Sequence, residues 1–271
     1  MKLNLNKYIT GVLFLIFIIN INSFGLTLTL KPGASAGKDV YLDQPTPNSN
    51  YGSHQELPAT AWTCSVDPCN ARGLLQFDLS SIPTGSFIAN ARLSLYANPN
   101  PASVGSGIPM NGSNASLLQR VITSWSENTV TWNTAPAVTT QNQVVLPQST
   151  SSFQNYLNVD VKNIVQDMVN NPLSSFGFLL RLTNEVHYAS MIFASSDHPN
   201  SALRPEITIE YFPPASILPL LNPVYCLGSS TSVGYNTGSG SFNAGNIFTA
   251  QLSASNGSFA SPVNIGSITS T

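Results

Sequence analysis

Residues Ala91-Arg92-Leu93-Ser94-Leu95-Tyr96 alternate apolar and polar side chains with a period of two, the pattern of a β-strand with one buried face. Working outward, short β-prone runs recur at 39–42, 73–77, 88–96, 117–122, 130–132, 144–146, 156–159, 176–182, 191–194 and 206–211, each bounded by Pro, Gly, Asn or Ser. Many short strands divided by turn residues predict a sandwich or barrel. One segment has a different period. Val161, Ile164, Val165 and Met168 recur at helical spacing after Asp160, an N-cap residue type, and Asn170-Asn171-Pro172 ends the run. The expected fold is therefore all-β, a β-sandwich with one short helix.

Composition agrees. Of 271 residues only 8% are charged, against 42% hydrophobic and 9% aromatic, whereas globular chains carry roughly 25% charge. The hydrophobic content supports a packed core and argues against disorder. Ten Lys and Arg against twelve Asp and Glu leave no basic surface for neutralising many phosphates, so nucleic acid is not an expected partner.

Lys2 and Lys7 precede an apolar run over 12–19, which is followed by the small residues Ser23 and Gly25. This is the layout of a signal peptide over 1–25, and 8–21 is shorter than the ~17–25 residues of a spanning helix. A secreted or cell-surface location is expected, with no transmembrane segment after cleavage. Export permits disulfides, and Cys64 and Cys69, five residues apart around Asp67-Pro68, suit a local bridge. A zinc site would need a second Cys/His pair at ligand spacing, and none accompanies them. Cys226 has no evident mate before residue 271. From 212 to 222 the chain is Pro-rich and reads as a stiff connector, and 223–271 reads as the start of an immunoglobulin-like β module, short of the ~100 residues that fold takes.

Residues that carry chemistry are sparse. His54, His187 and His198 lie in polar, turn-rich stretches, and no GxSxG, HExxH, P-loop or dinucleotide-binding pattern accompanies them. A non-catalytic module is expected. Asp39 and Asp43 share a strand face, with Asn48 and Asn50 nearby. Such oxygen donors suit a structural calcium ion, or else they organise turns by bonding to their own backbone. Sugar-stacking candidates are Tyr51, Trp62 and Tyr188, with Tyr41, Trp125 and Trp132 weighed as well; Trp125 and Trp132 read as packing residues.

Several motifs occur in order: Asp39-Val-Tyr-Leu with the later Asn50-Tyr-Gly52, RGLLQFDLSSIP at 72–83, ARLSLY at 91–96, WSENTVTWNTAP at 125–136, VDVKNIVQDMV at 159–169, FGFLLRL at 176–182 and FASSDHPNSALRPEITIEY at 193–211. This ordered set resembles the DNRLRE, or disaggregatase-related, family, which is grouped with carbohydrate-binding modules. The resemblance implies a jelly-roll sandwich over 26–211, carried as an accessory module on secreted enzymes, adhesins and surface proteins, some of whose relatives bind acidic polysaccharide such as alginate. For an anionic ligand, Arg72, Arg92, Arg181 and Arg204 stand at motif positions, Arg offering a planar fork that suits carboxylates; the competing role is pairing with acidic residues such as Asp78 or Glu206. The run from 238 to 270 resembles modules of secreted and gliding-associated proteins of Bacteroidota. Three readings follow: a polysaccharide-binding module, a passive sandwich in an adhesin stalk, and an accessory part of a polysaccharide-degrading enzyme.

Overall fold

The computed structural model describes residues 26–64, 69–103 and 107–214, with shorter stretches at 2–4, 17–19, 216–217, 230–232, 234–236, 245, 247–253, 258 and 260–269. The chain divides into two compact units, Thr27–Tyr211 and a second drawn from its two ends.

The first unit is mostly β. Its strands are β1 (Leu26–Leu30), β2 (Lys38–Asp43), β3 (Glu56–Trp62), β4 (Cys69–Gln76), β5 (Phe87–Leu95), β6 (Met110–Asn111), β7 (Ser116–Val121), β8 (Val138–Leu146), β9 (Tyr156–Asp160), β10 (Phe178–Leu182), β11 (Ala189–Ala194) and β12 (Glu206–Phe212), with one α-helix, α1 (Lys162–Asn170). A curled sheet in the order β8-β7-β10-β4-β3-β11-β6, with β2 joined to β4, packs against a four-stranded sheet in the order β9-β5-β12-β1. This is a β-sandwich.

Strand β4 organises the curl. Along one edge it pairs with β2 from Lys38↔Gln76 to Asp43↔Ala71. Its other edge is shared, β10 taking Gly73 to Leu75 and β3 taking Cys69 to Arg72. The sequence reading missed β3, whose Pro58 and alanines weaken a strand signal. Pro58 is tolerated because β3 joins β4 only from Ala59 onward, so the missing N–H breaks no bond to β4.

Alternation sets the layers. Ala91, Leu93 and Leu95 of β5 and Ile207, Ile209 and Tyr211 of β12 are buried, while Arg92 faces outward and meets Asp160. Phe178, Leu180 and Leu182 supply the facing side of β10. Tyr156 of β9 and Phe193 of β11 join the two sheets edge to face, 5.6 Å between ring centres. Helix α1 buries Ile164, Val165, Met168 and Val169. Its N-cap is Val161, one residue later than expected, and Asp160 acts through its Oδ1, which accepts the Lys162 N–H at 3.0 Å.

The outer face of the curled sheet has its own apolar cluster, in which Val40, Leu42, Leu74, Val121 and Leu179 pack with Trp125 and Val130, and Trp132 adds partial cover. Trp125 donates its Nε1–H to the Phe176 carbonyl at 2.8 Å. The strand expected at 130–132 is not there. Thr129 and Val130 both donate to the Ser126 carbonyl, and the segment turns on itself because its Trp and Val side chains are buried on the sheet face rather than extended in a ladder.

In the second unit, Val263–Thr269 pairs with Ile247–Leu252, which pairs with Phe17–Ile19, and Ser230–Ser232 pairs with Lys2–Asn4. The first three make a small sheet in which Phe248 is buried, and the last two make a separate two-stranded one. Cys226 and most of the expected connector at 212–222 lie outside the described residues. So does most of the expected signal segment. Among the described residues no helix is long and apolar enough to cross a membrane.

Gly177 tests the packing of β10 on β4. Its φ is 91°, and a Cβ there would stand 2.2 Å from the Leu75 carbonyl oxygen. Gly177→Ala should cost about 3 kcal/mol, read as a lower urea midpoint with an unchanged slope.

Candidate functional site

The antiparallel pairings bring the ends of β2, β3 and β10 and the starts of β4 and β11 to one rim of the curled sheet: Asp43 lies opposite Ala71, Trp62 opposite Cys69, and Ala189 opposite Ala61. Five of the ten residues singled out in the sequence, Asp43, Trp62, Cys64, Cys69 and Tyr188, cluster at this rim, and Arg72 and Arg181 lie beside it. Tyr188 is 59% exposed, and its ring meets Trp62 edge-on at 5.5 Å. Its φ of 65° places a bulky residue in the left-handed region, strain of the sort stored where a side chain must be presented. Trp62, read as a loop residue, is the last residue of β3.

Arg72 and Arg181 share the outer face, since Leu74 and Leu179 are cross-strand partners and each arginine lies two residues from its leucine. Arg72 is bracketed. Its Nε and Nη2 donate to the Glu185 carboxylate at 2.8 and 3.0 Å, and its guanidinium lies 4.6 Å from the Trp132 ring centre. Asn70 also donates to Glu185. Arg181 donates from Nε to Gln119 and from Nη1 to the Leu182 carbonyl. Arginine stacked on an aromatic ring and held by a carboxylate is pre-organised, so its remaining donors are presented at small entropic cost.

Other candidates fall elsewhere. Arg92 forms an exposed pair with Asp160 at 3.2 Å on the smaller sheet, away from the rim. Arg204 donates to the His198 carbonyl, and the expected partner Glu206 pairs with Lys31. Tyr51 stacks on Tyr41 with centroids 5.1 Å apart, and His54 meets both rings edge-on. Cys64 is exposed and Cys69 half-buried; residues 65–68 between them lie outside the described residues.

The acidic residues part company. Asp43 organises the turn that follows β2, with Oδ2 accepting from the Thr46 N–H and hydroxyl and Oδ1 accepting from the Tyr41 hydroxyl. Asp39 lies roughly 13 Å back along the strand, at the end remote from the rim. There one carboxylate oxygen from each of Asp39, Glu127 and Asp197 lies within 4.8 Å of the others. Glu127 and Asp197 were within recognised motifs but not singled out. The signal available was scarcity, since a chain with twelve acidic residues gives each one in a motif unusual weight.

Burial pushes the Asp39 carboxyl up to about 6; the dipole of the adjacent Ser196 hydroxyl, which is not in bonding geometry, and the Ser196 N–H bond pull it partly back, and the charges of Asp197 and Glu127 raise it further. Burial also raises Glu127 and Asp197; in the first case the Asp39 N–H bond opposes it, the Asp197 charge adds to it and Lys38 opposes it more weakly, and in the second Arg204 opposes it.

Residues 33–211 match carbohydrate-binding module family 96. No protein of curated function matches the chain. The first unit is thus a non-catalytic carbohydrate-binding module built on a β-sandwich. The chain belongs to carbohydrate-binding module family 96.

The carboxylate cluster makes stability depend on pH with a definite sign. A carboxyl raised from 3.8 to about 6 favours the protonated fold, so its contribution is complete below about pH 4 and is lost as pH rises through about 6. The shift corresponds to about 3 kcal/mol. In chelator, urea unfolding of the wild type should weaken relative to Asp39→Asn between pH 4.5 and 7.5; parallel pH profiles of the two proteins would contradict the assignment.

Proposed function

We propose that the module binds an acidic polysaccharide at the rim formed by Trp62, Tyr188, Arg72 and Arg181, as part of a secreted or cell-surface protein. Family membership supports a glycan ligand, and the observation that carries the acidic reading is the placement of Arg72 and Arg181 on one face beside the exposed Tyr188 ring, which rests on the half-buried Trp62. Tyr188 supplies a flat apolar surface for a sugar ring. The Nη1 end of Arg72 and the Nη2 end of Arg181 are the parts of each fork that a uronate carboxylate would engage. Glu185 holds Arg72 in place and disfavours a second anion directly over the Nε edge, which steers the ligand toward the Arg181 side. The low overall charge of the chain means that attraction is local rather than a field of the whole domain.

The layout of residues 1–25 supports export, and export suits a bridge between Cys64 and Cys69 that would fix the loop beside Trp62. The C-terminal sheet fits the beginning of an immunoglobulin-like spacer. The module's relation to the DNRLRE pattern rests on the ordered motifs, and it points to an accessory role in a larger extracellular protein.

Affinity electrophoresis through gels containing a polyuronate such as alginate, with neutral glucans as controls, tests this reading. Retardation should occur in the polyuronate gel and weaken with salt. Tyr188→Ala should reduce affinity about tenfold; Arg181→Ala should reduce it at least as far, with thermal stability nearly unchanged. Migration unaffected by every acidic and neutral glycan would leave the passive stalk reading in its place, and variants retarded like the wild type would remove the rim as the site.

A further inference from the structure

The end of the curled sheet opposite the rim poses an electrostatic problem. Asp39 is 1% exposed, and among the described residues neither it nor Glu127 nor Asp197 belongs to an ion pair. The nearest cations are otherwise engaged: Lys38 bonds Gln76 at 2.8 Å and lies over the Trp125 ring, and Arg204 bonds the His198 carbonyl. Glu56 shows how this fold settles a buried carboxylate that needs no ion. It is 2% exposed and accepts from the Asn98 side chain and from the Ala102 and Ser103 N–H groups. Asp39, in contrast, accepts one backbone N–H, from Ser196 at 3.0 Å, and its own N–H is answered by Glu127 Oε1 at 2.8 Å.

A second observation points the same way. The Ser196 side chain is 1% exposed, and its Oγ, beside the Asp39 carboxyl, makes no well-formed hydrogen bond. A buried hydroxyl without a partner costs roughly 1–3 kcal/mol. Space for it is provided deliberately, since a Cβ on Gly37 would stand 2.0 Å from that oxygen. The orphaned oxygen therefore sits in a cradle at the edge of a three-carboxylate cluster.

We propose that Asp39, Glu127 and Asp197, with the Ser196 hydroxyl as a neutral fourth donor, form a calcium-binding site that ties the 122–137 segment and the segment following β11 to the start of β2. Three oxygens no more than 4.8 Å apart can surround a common centre at about 2.4–2.8 Å, overlapping the Ca–O range. Magnesium demands about 2.1 Å and near-octahedral geometry, which would require these oxygens to draw much closer together. The three ligands come from places far apart in sequence, so the ion acts as a cross-link between segments that strand pairing leaves separate. Asn50 fixes the Glu127 arm, its Nδ2 donating to the carbonyls of Glu127 and Val130 at 2.7 Å each. The site does not depend on the glycan reading, lying at the far end of β2.

The experiment uses the full chain, stripped with chelator and dialysed, at pH 7.5. Isothermal titration with calcium should show one binding event. Thermal unfolding should rise by roughly 5–10 °C at a calcium concentration about a hundred times Kd, with magnesium giving much less. Asp39→Asn and Glu127→Gln should fold without calcium and lose the calcium-dependent rise. Their metal-free midpoints should equal or exceed that of the stripped wild type, because removing one charge relieves the repulsion. An absence of binding heat and of any shift in the stripped wild type would overturn the proposal, as would a full calcium response in both variants. Were one variant to fail to fold, the other variant and the wild-type titration would still decide the matter. Polyuronate retardation measured alongside keeps the two readings distinct, since loss of calcium binding leaves the rim residues in place.

Discussion

Everything in the sandwich hangs on how β4 shares its edge. A strand has two edges, yet β4 has three partners, because β3 and β10 divide one edge between them. The division falls at Gly73, where a Cβ would come within 2.6 Å of Leu57 Cδ1 and 3.3 Å of the Pro58 carbonyl. Absence of a side chain lets β3 peel away across the sheet just as β10 takes over the ladder. From this fork come the curl, the burial of Leu57 and Leu74 at 0% exposed, and the gathering of strand ends at a common rim. A larger residue at 73 would act on the sheet's topology and not merely on one contact.

How much of this could be read in the sequence varies with the physics behind each feature. Period-two alternation located β5, and β7 and β12 were found to within a residue, because one-sided burial is written directly into the residue pattern. The helix was equally plain. Strand β3 was missed because Glu-Leu-Pro-Ala-Thr-Ala-Trp is buried on both faces and contains the residue least suited to a ladder. The 130–132 stretch misled in the opposite direction: Val-Thr-Trp has β propensity, but tertiary packing claims the side chains. At the site, Asp39, Tyr188, Trp62 and Arg72 were identifiable as chemistry-bearing residues, whereas their groupings were not. Asp39 acquires Glu127 and Asp197 only once segments 88 and 158 residues downstream fold back, and no local spacing encodes that. Arg92 and Arg72 looked equivalent as motif arginines, yet strand alternation on different sheets sends one to Asp160 and the other to Trp132 and Glu185.

The two ends of the curled sheet divide the labour between chemistry of opposite charge. One end gathers arginines and accessible rings, and the other gathers carboxylates under cover. Separation matters in a chain with so few charges, because an exposed acidic cluster beside Arg72 and Arg181 would oppose an anionic ligand at the short distances where charge still acts. Glu185 and Asp43 are the exceptions at the rim, the first consumed in a bidentate bond to Arg72 and the second in bonds to Tyr41 and Thr46.

The 122–137 segment has a bearing on how such a module can diversify. By secondary structure it is a connection, the kind of stretch in which insertions and swaps usually accumulate. By packing it is a third layer, a lid of Trp125, Val130 and Trp132 over the outer apolar face, with Trp132 also forming the floor beneath Arg72. Its side chains are thus held to the sheet as tightly as a strand's would be. With the ligand at the proposed rim, variation in preference has freer scope in the 183–188 turn, which carries Glu185 and Tyr188 without roofing any core, so a lineage of these modules could exchange sugars by rewriting six residues while leaving the architecture intact.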